Sequence, residues 1–328
     1  MDRRIREAYN DQILDEALKR YGVTQDAVRP LDGFESFIYE YEKDGRGYVL
    51  RITHSLRRTA DMIGGEVDWI NYLAGRDVPA ARAVLSERGR LVETIEAQDG
   101  YFLAVAFERA PGTYPCREDW ERDLMVQVGQ LVGRMHALTK DYRPSEPRFK
   151  RYEWYEDADG FAAKYLPPSE ATVIGKYNAL VEYLHTLPKD RDAYGLVHID
   201  VHGMNFYVHQ GQITLFDFDD CQYAWFAYDV AMALFYTLPH HCVGEKNVAF
   251  ARDTFRLFMD GYRRENTLAP EWLKRIPLFM KLREIDLYIA IHRSLDLNNL
   301  DPWCASFMDN RKYKIEHDVP YVDMDFVE

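Results

Sequence analysis

The period of the apolar residues changes partway along the chain, and this change limits the fold more than any other feature. Up to residue 107 the pattern is mainly that of strands and turns. Phe37-Ile-Tyr-Glu-Tyr41 alternates, Lys43-Asp-Gly45-Arg-Gly47 is a hairpin turn signal, and Tyr48-Val-Leu-Arg51-Ile-Thr53 is the returning strand. Val28 leads into this hairpin through a turn at 31–36, and further strands are expected at 83–85, 91–95 and 101–107. Two helices interrupt them. One covers 4–21 with Ile5, Ala8, Ile13, Leu14, Ala17 and Leu18 on a face, and one covers 59–75 with Ile63, Val67, Ile70 and Leu73. Glu108-Arg-Ala-Pro111-Gly112 breaks the pattern.

Beyond that break the spacing becomes three and four. Leu124, Val128, Leu131, Val132, Met135 and Leu138 predict a helix over 118–139, and others are expected near 169–187, 224–238, 247–264, 269–296 and 300–311. One polar hairpin, with strands at 205–208 and 213–217 joined by His209-Gln-Gly-Gln212, lies among them. The reading is α+β and bilobal: a β-rich lobe at 1–111 with one main helix, then a mostly helical lobe at 112–328. Two lobes around a short linker are a common setting for a ligand cleft.

Composition narrows the partners. A hydrophobic share of 47% marks an ordinary globular chain. The net charge of −13 argues against duplex nucleic acid and anionic membrane, both of which attract basic surfaces. It suits a cationic small substrate, and it serves solubility equally well. Cys116, Cys221, Cys242 and Cys304 form neither a CxxC pair nor a zinc spacing, as expected of a reduced, cytoplasmic protein. The polar N-terminus shows no secretory signal, and there is no apolar run of about 18 residues.

The chemistry concentrates in His198-Ile-Asp200-Val-His202-Gly203-Met-Asn205 and, a few residues on, Asp217-Phe218-Asp219-Asp220. A carboxylate, an amide five residues later and a second carboxylate twelve beyond that read as one phosphoryl-transfer site. Asp200 would accept the proton of a substrate hydroxyl, and Asn205 and Asp217 would hold Mg²⁺ against a nucleoside triphosphate. A loop aspartate that caps the next turn would explain Asp200 taken alone; the agreement of three offsets favours chemistry.

On these residues the chain resembles the aminoglycoside phosphotransferase/choline kinase family, relatives of the protein kinases, and within it the homoserine-kinase-like and stress-response-kinase-like bacterial branch. The Asp-to-Asn offset matches the kinase catalytic loop. The resemblance implies that Asp200 orients and deprotonates the acceptor, that His198 braces the loop, and that Asp229 ties back to it. His202 occupies a position where this branch often has His, without a chemical role. Asp217 corresponds to the metal-binding Asp of D-F-G, and the Gly is replaced by Asp219.

For the nucleotide, the resemblance implies a strand lysine paired with a helix glutamate. Here Arg51 stands in the lysine position and Glu66 is the partner; Arg keeps the charge but not the geometry. A strand arginine facing solvent is the bland alternative. Gly33-Phe-Glu-Ser36 occupies the phosphate-loop position without a full G-x-G-x-x-G. Phe107, Glu108 and Arg109 sit where the family offers backbone groups to adenine.

Residues expected to line the acceptor pocket are Tyr152, Trp154, Asp219, Asp220, Tyr223, Arg283 and Glu284, with Trp225 and Tyr288 as further candidates. Aromatic faces and carboxylates would hold an amine, and Arg283 would recognise a carboxylate. The resemblance therefore implies transfer from ATP or GTP to a hydroxyl of an amino alcohol or amino acid, a sugar or an aminoglycoside, with Mg²⁺. Two alternatives stay open: a non-catalytic, spore-coat-like scaffold on a kinase fold, and a protein Ser/Thr kinase of the stress-response type.

Overall fold

Asp44 and Gly45 both take left-handed backbone, with φ of 53° and 74°, as a two-residue hairpin turn requires. They join β2 (Phe37–Lys43) to β3 (Arg46–His54), with β1 (Val28–Leu31) on the outer edge of β2. The computed structural model describes residues 1–33, 35–120, 123–238 and 244–327; Phe34 of the expected phosphate loop, two residues of the expected 118–139 helix, and Cys242 lie outside these. The chain forms two compact units. The first is Met1–Tyr114, Tyr142–Arg151 and Phe206–Asp219; the second is Pro115–Asp141, Tyr152–Asn205 and Asp220–Glu328.

In the first unit, β4 (Ala83–Val84), β5 (Glu93–Ala97) and β6 (Gly100–Glu108) complete an antiparallel sheet of order β1-β2-β3-β6-β4, with β5 also paired to β6. Helices α1 (Arg3–Ala8) and α2 (Asp11–Arg20) precede it. They are two helices and not the one expected over 4–21, because Asn10 is extended and its side chain caps Gln12 and Ile13. Alternation then sorts the sheet. Leu50, Ile52, Phe102 and Ala104 pack with Ile13, Ala17 and Leu18 of α2. Leu103 and Val105 pack with Ile63 and Val67 of α3 (Ala60–Ala74). Arg51 is paired with Val105, so the same alternation turns it towards α3.

The hairpin of β8 (Phe206–His209) and β9 (Gln212–Leu215) belongs to this unit, although the sequence reading put it in the helical lobe. The reason is backbone pairing: Val208 N–H donates to the Thr113 carbonyl, Leu215 N–H to Pro79, and Ala81 N–H to Leu215, each at 2.8 Å. Gly112, with φ of 92°, allows the approach; a Cβ there would lie 2.1 Å from the Val208 carbonyl oxygen.

The second unit holds α4 (Arg117–Trp120), α5 (Leu124–Thr139), α6 (Trp154–Ala158), α7 (Phe161–Tyr165) and α8 (Ala171–His185). These are followed by α9 (Phe226–Thr237), α10 (Glu245–Tyr262), α11 (Pro270–Leu273), α12 (Ile276–Ser294), α13 (Pro302–Met308) and α14 (Arg311–Glu316). The stretch expected as one helix over 269–296 divides before α12, whose first turn carries Pro277. A strand pair that periodicity did not suggest, β7 (Tyr194–Val197) and β10 (Gln222–Trp225), flanks the stretch from 198 to 221. Buried α9 exposes almost none of its residues from Phe226 to Phe235.

Helices α5 and α10 touch backbone to backbone. A Cβ on Gly129 would stand 1.9 Å from the Phe258 carbonyl oxygen, and one on Gly261 would stand 1.9 Å from that of Val126. Gly129→Val should therefore force the pair apart and lower stability by roughly 3 kcal/mol. A fall in the denaturation midpoint is the expected result; an unchanged midpoint would refute the close contact.

Candidate functional site

Ile199 has φ of +68°, the left-handed region that a β-branched residue avoids. Such a residue costs on the order of 1–3 kcal/mol unless its surroundings hold it. Here Asp229, at the start of α9, accepts from Ile199 N–H at 2.7 Å and from His198 N–H at 3.3 Å. His136 Nε2 lies 3.0 Å from the same carboxylate. Asn266 donates to the Tyr262 hydroxyl at 2.8 Å. That hydroxyl sits 3.0 Å from His136 Nδ1 and donates its proton there. A carboxylate only accepts, so the His136 Nε2–H faces Asp229, and in the neutral ring Nδ1 accepts from the Tyr262 hydroxyl. All four residues are buried, and the loop they hold presents Asp200.

Both oxygens of Asp200 are engaged. Arg283 Nη2 donates to Oδ1 at 3.0 Å. Asn205 Nδ2 donates to Oδ2 at 2.9 Å, and His202 Nε2 lies 3.2 Å from that oxygen. The Met204 N–H donates to His202 Nδ1 at 3.1 Å, which leaves the ring proton on Nε2, facing Asp200. His198 is fully buried and its Nδ1 accepts from Asp200 N–H at 3.2 Å. Burial alone would raise the Asp200 carboxyl, but the His202 hydrogen bond and then the Arg283 charge outweigh it and hold it well below the usual carboxylate range.

Asn205 donates through Nδ2 to the Asp200 carbonyl as well, at 2.8 Å. With two acceptors on that side, the amide oxygen points the other way, and it accepts no hydrogen bond among the described residues. A hard, neutral oxygen in that state fits Mg²⁺. Asp217 lies in the first unit, exposed and left-handed with φ of 60°. Among the described residues no group of three or more His, Cys, Asp and Glu gathers to hold a metal. Mg²⁺ needs no such cage, because it keeps waters and phosphate oxygens.

In the first unit, Arg51 is buried and not on a solvent face. It forks onto the fully buried Glu66, with Nη1 to Oε1 at 2.8 Å and Nη2 to Oε2 at 2.6 Å. Its guanidinium lies 5.2 Å from the Phe107 ring centre. Asp219, expected at the acceptor pocket, points instead into arginines of this unit. Arg57 pairs with Oδ2. Arg58 Nε and Arg51 Nη1 lie 3.5 and 3.9 Å from Oδ1, and Arg151 donates to the Asp219 carbonyl at 2.5 Å. Burial would raise Asp219; Arg57, Arg58, Arg51 and Arg151 together hold it well below the usual range. The Arg57-Arg58 doublet, separated from β3 by Ser55 and Leu56, is the visible sequence signal for this cluster.

Ser36 Oγ lies 2.9 Å from Thr53 Oγ1, which ties the loop after Gly33 to β3. The N–H groups of Glu108 and Arg109 already donate to the Arg82 and Gly47 carbonyls, so neither remains to serve a base. The Arg109 side chain turns to Glu42, at 3.3 Å.

Several residues expected to meet the acceptor are occupied by packing. Trp154 is buried against Trp225, with ring centres 5.1 Å apart. Glu284 is fully buried and bonded to Arg311 at 2.6 Å and to Lys281 at 2.5 Å. Tyr152 is buried, with its hydroxyl on the Asp220 carbonyl at 3.2 Å, while Asp220 itself is exposed. Tyr223 lies in β10, and its N–H donates to the Tyr152 carbonyl at 3.0 Å. Tyr288 donates to Glu170 at 2.9 Å. Arg283 is committed to Asp200.

Residues 27–266 match the model of the phosphotransferase enzyme family. The chain belongs to that family. It is 38% identical over 320 residues to the amicoumacin kinase of Bacillus subtilis (strain 168), covering 97% of this chain and 95% of the relative. The solved structure of an amicoumacin kinase in complex with AMP-PNP, Ca²⁺ and Ami superposes with a TM-score of 0.93 at 37% identity, covering 99% of each chain. A microcompartment-associated aminopropanol kinase shares the fold, with a TM-score of 0.73 at 22% identity, over 94% of this chain and 95% of that one. The protein is therefore a kinase that phosphorylates a hydroxyl of a small molecule.

One carboxylate of the helical unit is poised to titrate. Asp286, one turn beyond Arg283 on α12, is pushed up to about 6 by burial; Arg283, Tyr177 and Tyr228 oppose this without cancelling it. The folded state then binds more protons than the unfolded state between about pH 4 and pH 6, and stability falls as pH rises through that window. Asp286→Asn should raise stability by on the order of 1–3 kcal/mol at pH 8 and change little at pH 4. Thermal melts at both pH values check the sign.

Proposed function

We propose that this protein transfers the terminal phosphoryl group of ATP to a hydroxyl of amicoumacin or a molecule of its class, with Asp200 receiving the hydroxyl proton. The observation that carries the reading is the likeness to amicoumacin kinases along the full length of both chains. It includes the helical unit, since 97% of this chain and 95% of the relative are covered. The relative solved with a nucleotide analogue and a divalent ion supports a nucleotide co-substrate and a metal.

In this reading the loop held by Asp229 presents Asp200 to the acceptor, and His198 braces it. Asn205 and Asp217 hold Mg²⁺, which when bound would neutralise charge on the phosphoryl oxygens. Arg51, fixed by Glu66, reaches the nucleotide phosphates under the loop from Gly33 to Ser36. The segment of Phe107, Glu108 and Arg109 adjoins the base through groups other than the two occupied N–H donors. Retention of a bonded Asp200, an oriented Asn205 amide and the Arg51–Glu66 pair favours an enzyme over a scaffold.

ADP release with Mg²⁺, ATP or GTP, and a panel of amicoumacin, amino alcohols, homoserine, aminoglycosides and a Ser/Thr peptide tests the assignment. Turnover should be fastest with amicoumacin; transfer to the peptide alone would replace this reading with a protein kinase. Asp200→Ala should keep nucleotide binding and lose about 10²–10⁴-fold in rate.

Ligand binding to the folded state raises its apparent stability. Mg²⁺-ATP should therefore raise the melting temperature of the parent, and Asp217→Ala should lose most of that increase. An equal increase in the variant would remove Asp217 from the metal.

A further inference from the structure

The geometry around Asp200 points to a role for Arg283 that goes beyond the chemistry assigned above, and rests on the reading of Asp200 as the acceptor of the hydroxyl proton. We propose that Arg283 is the positioning residue of Asp200, fixing the carboxylate so that one lone pair of Oδ1 is left for the substrate hydroxyl.

The argument is a count of donors. A carboxylate oxygen accepts about two hydrogen bonds in the plane of the group. Asp200 Oδ2 already takes two, from Asn205 Nδ2 at 2.9 Å and from His202 Nε2–H at 3.2 Å. The His202 proton is placed there because its Nδ1 accepts from Met204 N–H. Oδ1 takes one among the described residues, from Arg283 Nη2 at 3.0 Å. The remaining position on Oδ1 therefore lies beside Arg283.

Arg283 is itself held from a second element. Its Nε donates to the Tyr236 hydroxyl of α9 at 3.0 Å, its Nη2 reaches the same hydroxyl, and its guanidinium lies 5.3 Å from the Tyr236 ring centre. The Tyr236 ring also packs on His202, with centres 4.7 Å apart. One tyrosine thus aligns both side chains that flank the carboxylate. The neighbouring Glu284 shows what a purely structural pair on α12 looks like: it and Arg311 are both fully buried. The Arg283 side chain, by contrast, keeps 24% of its surface exposed.

A lysine could keep the charge but could not span Tyr236 and Asp200 with one planar fork. A displacement of about 1 Å in a reacting group costs on the order of 100-fold in rate.

The test uses the full chain with Mg²⁺-ATP and the best acceptor of the panel, comparing Arg283→Ala, Arg283→Lys and Tyr236→Phe with the parent. Arg283→Ala should lose about 100-fold in kcat, with KM for the acceptor and the Mg²⁺-ATP thermal shift close to the parent's. Added guanidinium ion should restore part of the kcat of Arg283→Ala and none of that of Asp200→Ala. Arg283→Lys and Tyr236→Phe should fall between, and they decide the matter if the alanine variant does not fold. An unchanged kcat overturns the proposal. So does a rise in KM alone, which would make Arg283 an acceptor ligand. A parent without turnover on any acceptor overturns the functional reading as well, so the two failures are distinct.

Discussion

The carboxylate of Asp229 holds a loop conformation that its own residues oppose. Ile199 is β-branched and sits at positive φ, which costs on the order of 1–3 kcal/mol. Hydrogen bonds to a charged group contribute about 1.5–3 kcal/mol each, and Asp229 accepts two from the backbone of this loop. Together they contribute about 3–6 kcal/mol, more than the strain, so the loop stands only while Asp229 is in place. Asp229 in turn is oriented by His136, and His136 by Tyr262. Those two residues lie on α5 and α10, which meet closely because glycines at 129 and 261 carry no Cβ. A helix contact thus sets the backbone that presents Asp200.

A comparable dependence runs through the first unit. Asp219 stands where protein kinases have glycine, and it is ringed by Arg51, Arg57, Arg58 and Arg151. Four guanidinium groups near one another repel, and Asp219 with Glu66 and Glu35 offsets most of that charge. Arg51 is therefore shared between Glu66 and the neighbourhood of Asp219. A lysine in its place would have one nitrogen to divide between them. Arg51 and Asp219 are thus linked through charge, at 3.9 Å.

Much of the fold was legible. The change from period two to periods of three and four separated a β-rich part from a helical one, because burial of one face imposes those periods. The hairpin at Lys43–Arg46 followed from Asp-Gly, which tolerates positive φ. Asn10 and Pro277 broke longer apolar patterns through local hydrogen bonding and ring geometry, and a reading based on period alone passed over both. The allegiance of β8 and β9 to the first unit was not legible, since it rests on backbone bonds to Thr113 and Pro79 that no side chain records. The acceptor residues were the least legible. Trp154 and Glu284 have the chemistry of ligands, yet burial against Trp225 and pairing with Arg311 occupy them.

The sequence by itself determined the reaction type. The proposed residues Asp200, Asn205 and Asp217 stand at offsets of five and twelve, and such spacing survives any detail of packing. Tertiary structure decided which groups act on them. Arg283 reaches Asp200 across 83 residues of chain, and His136 reaches Asp229 across 93. Contacts at such separations depend on how helices stack, and an arginine or histidine on a helix looks the same in sequence whether it faces water or a carboxylate. Charge and hydrogen-bond geometry act through space, so these partners appear only once the chain has folded.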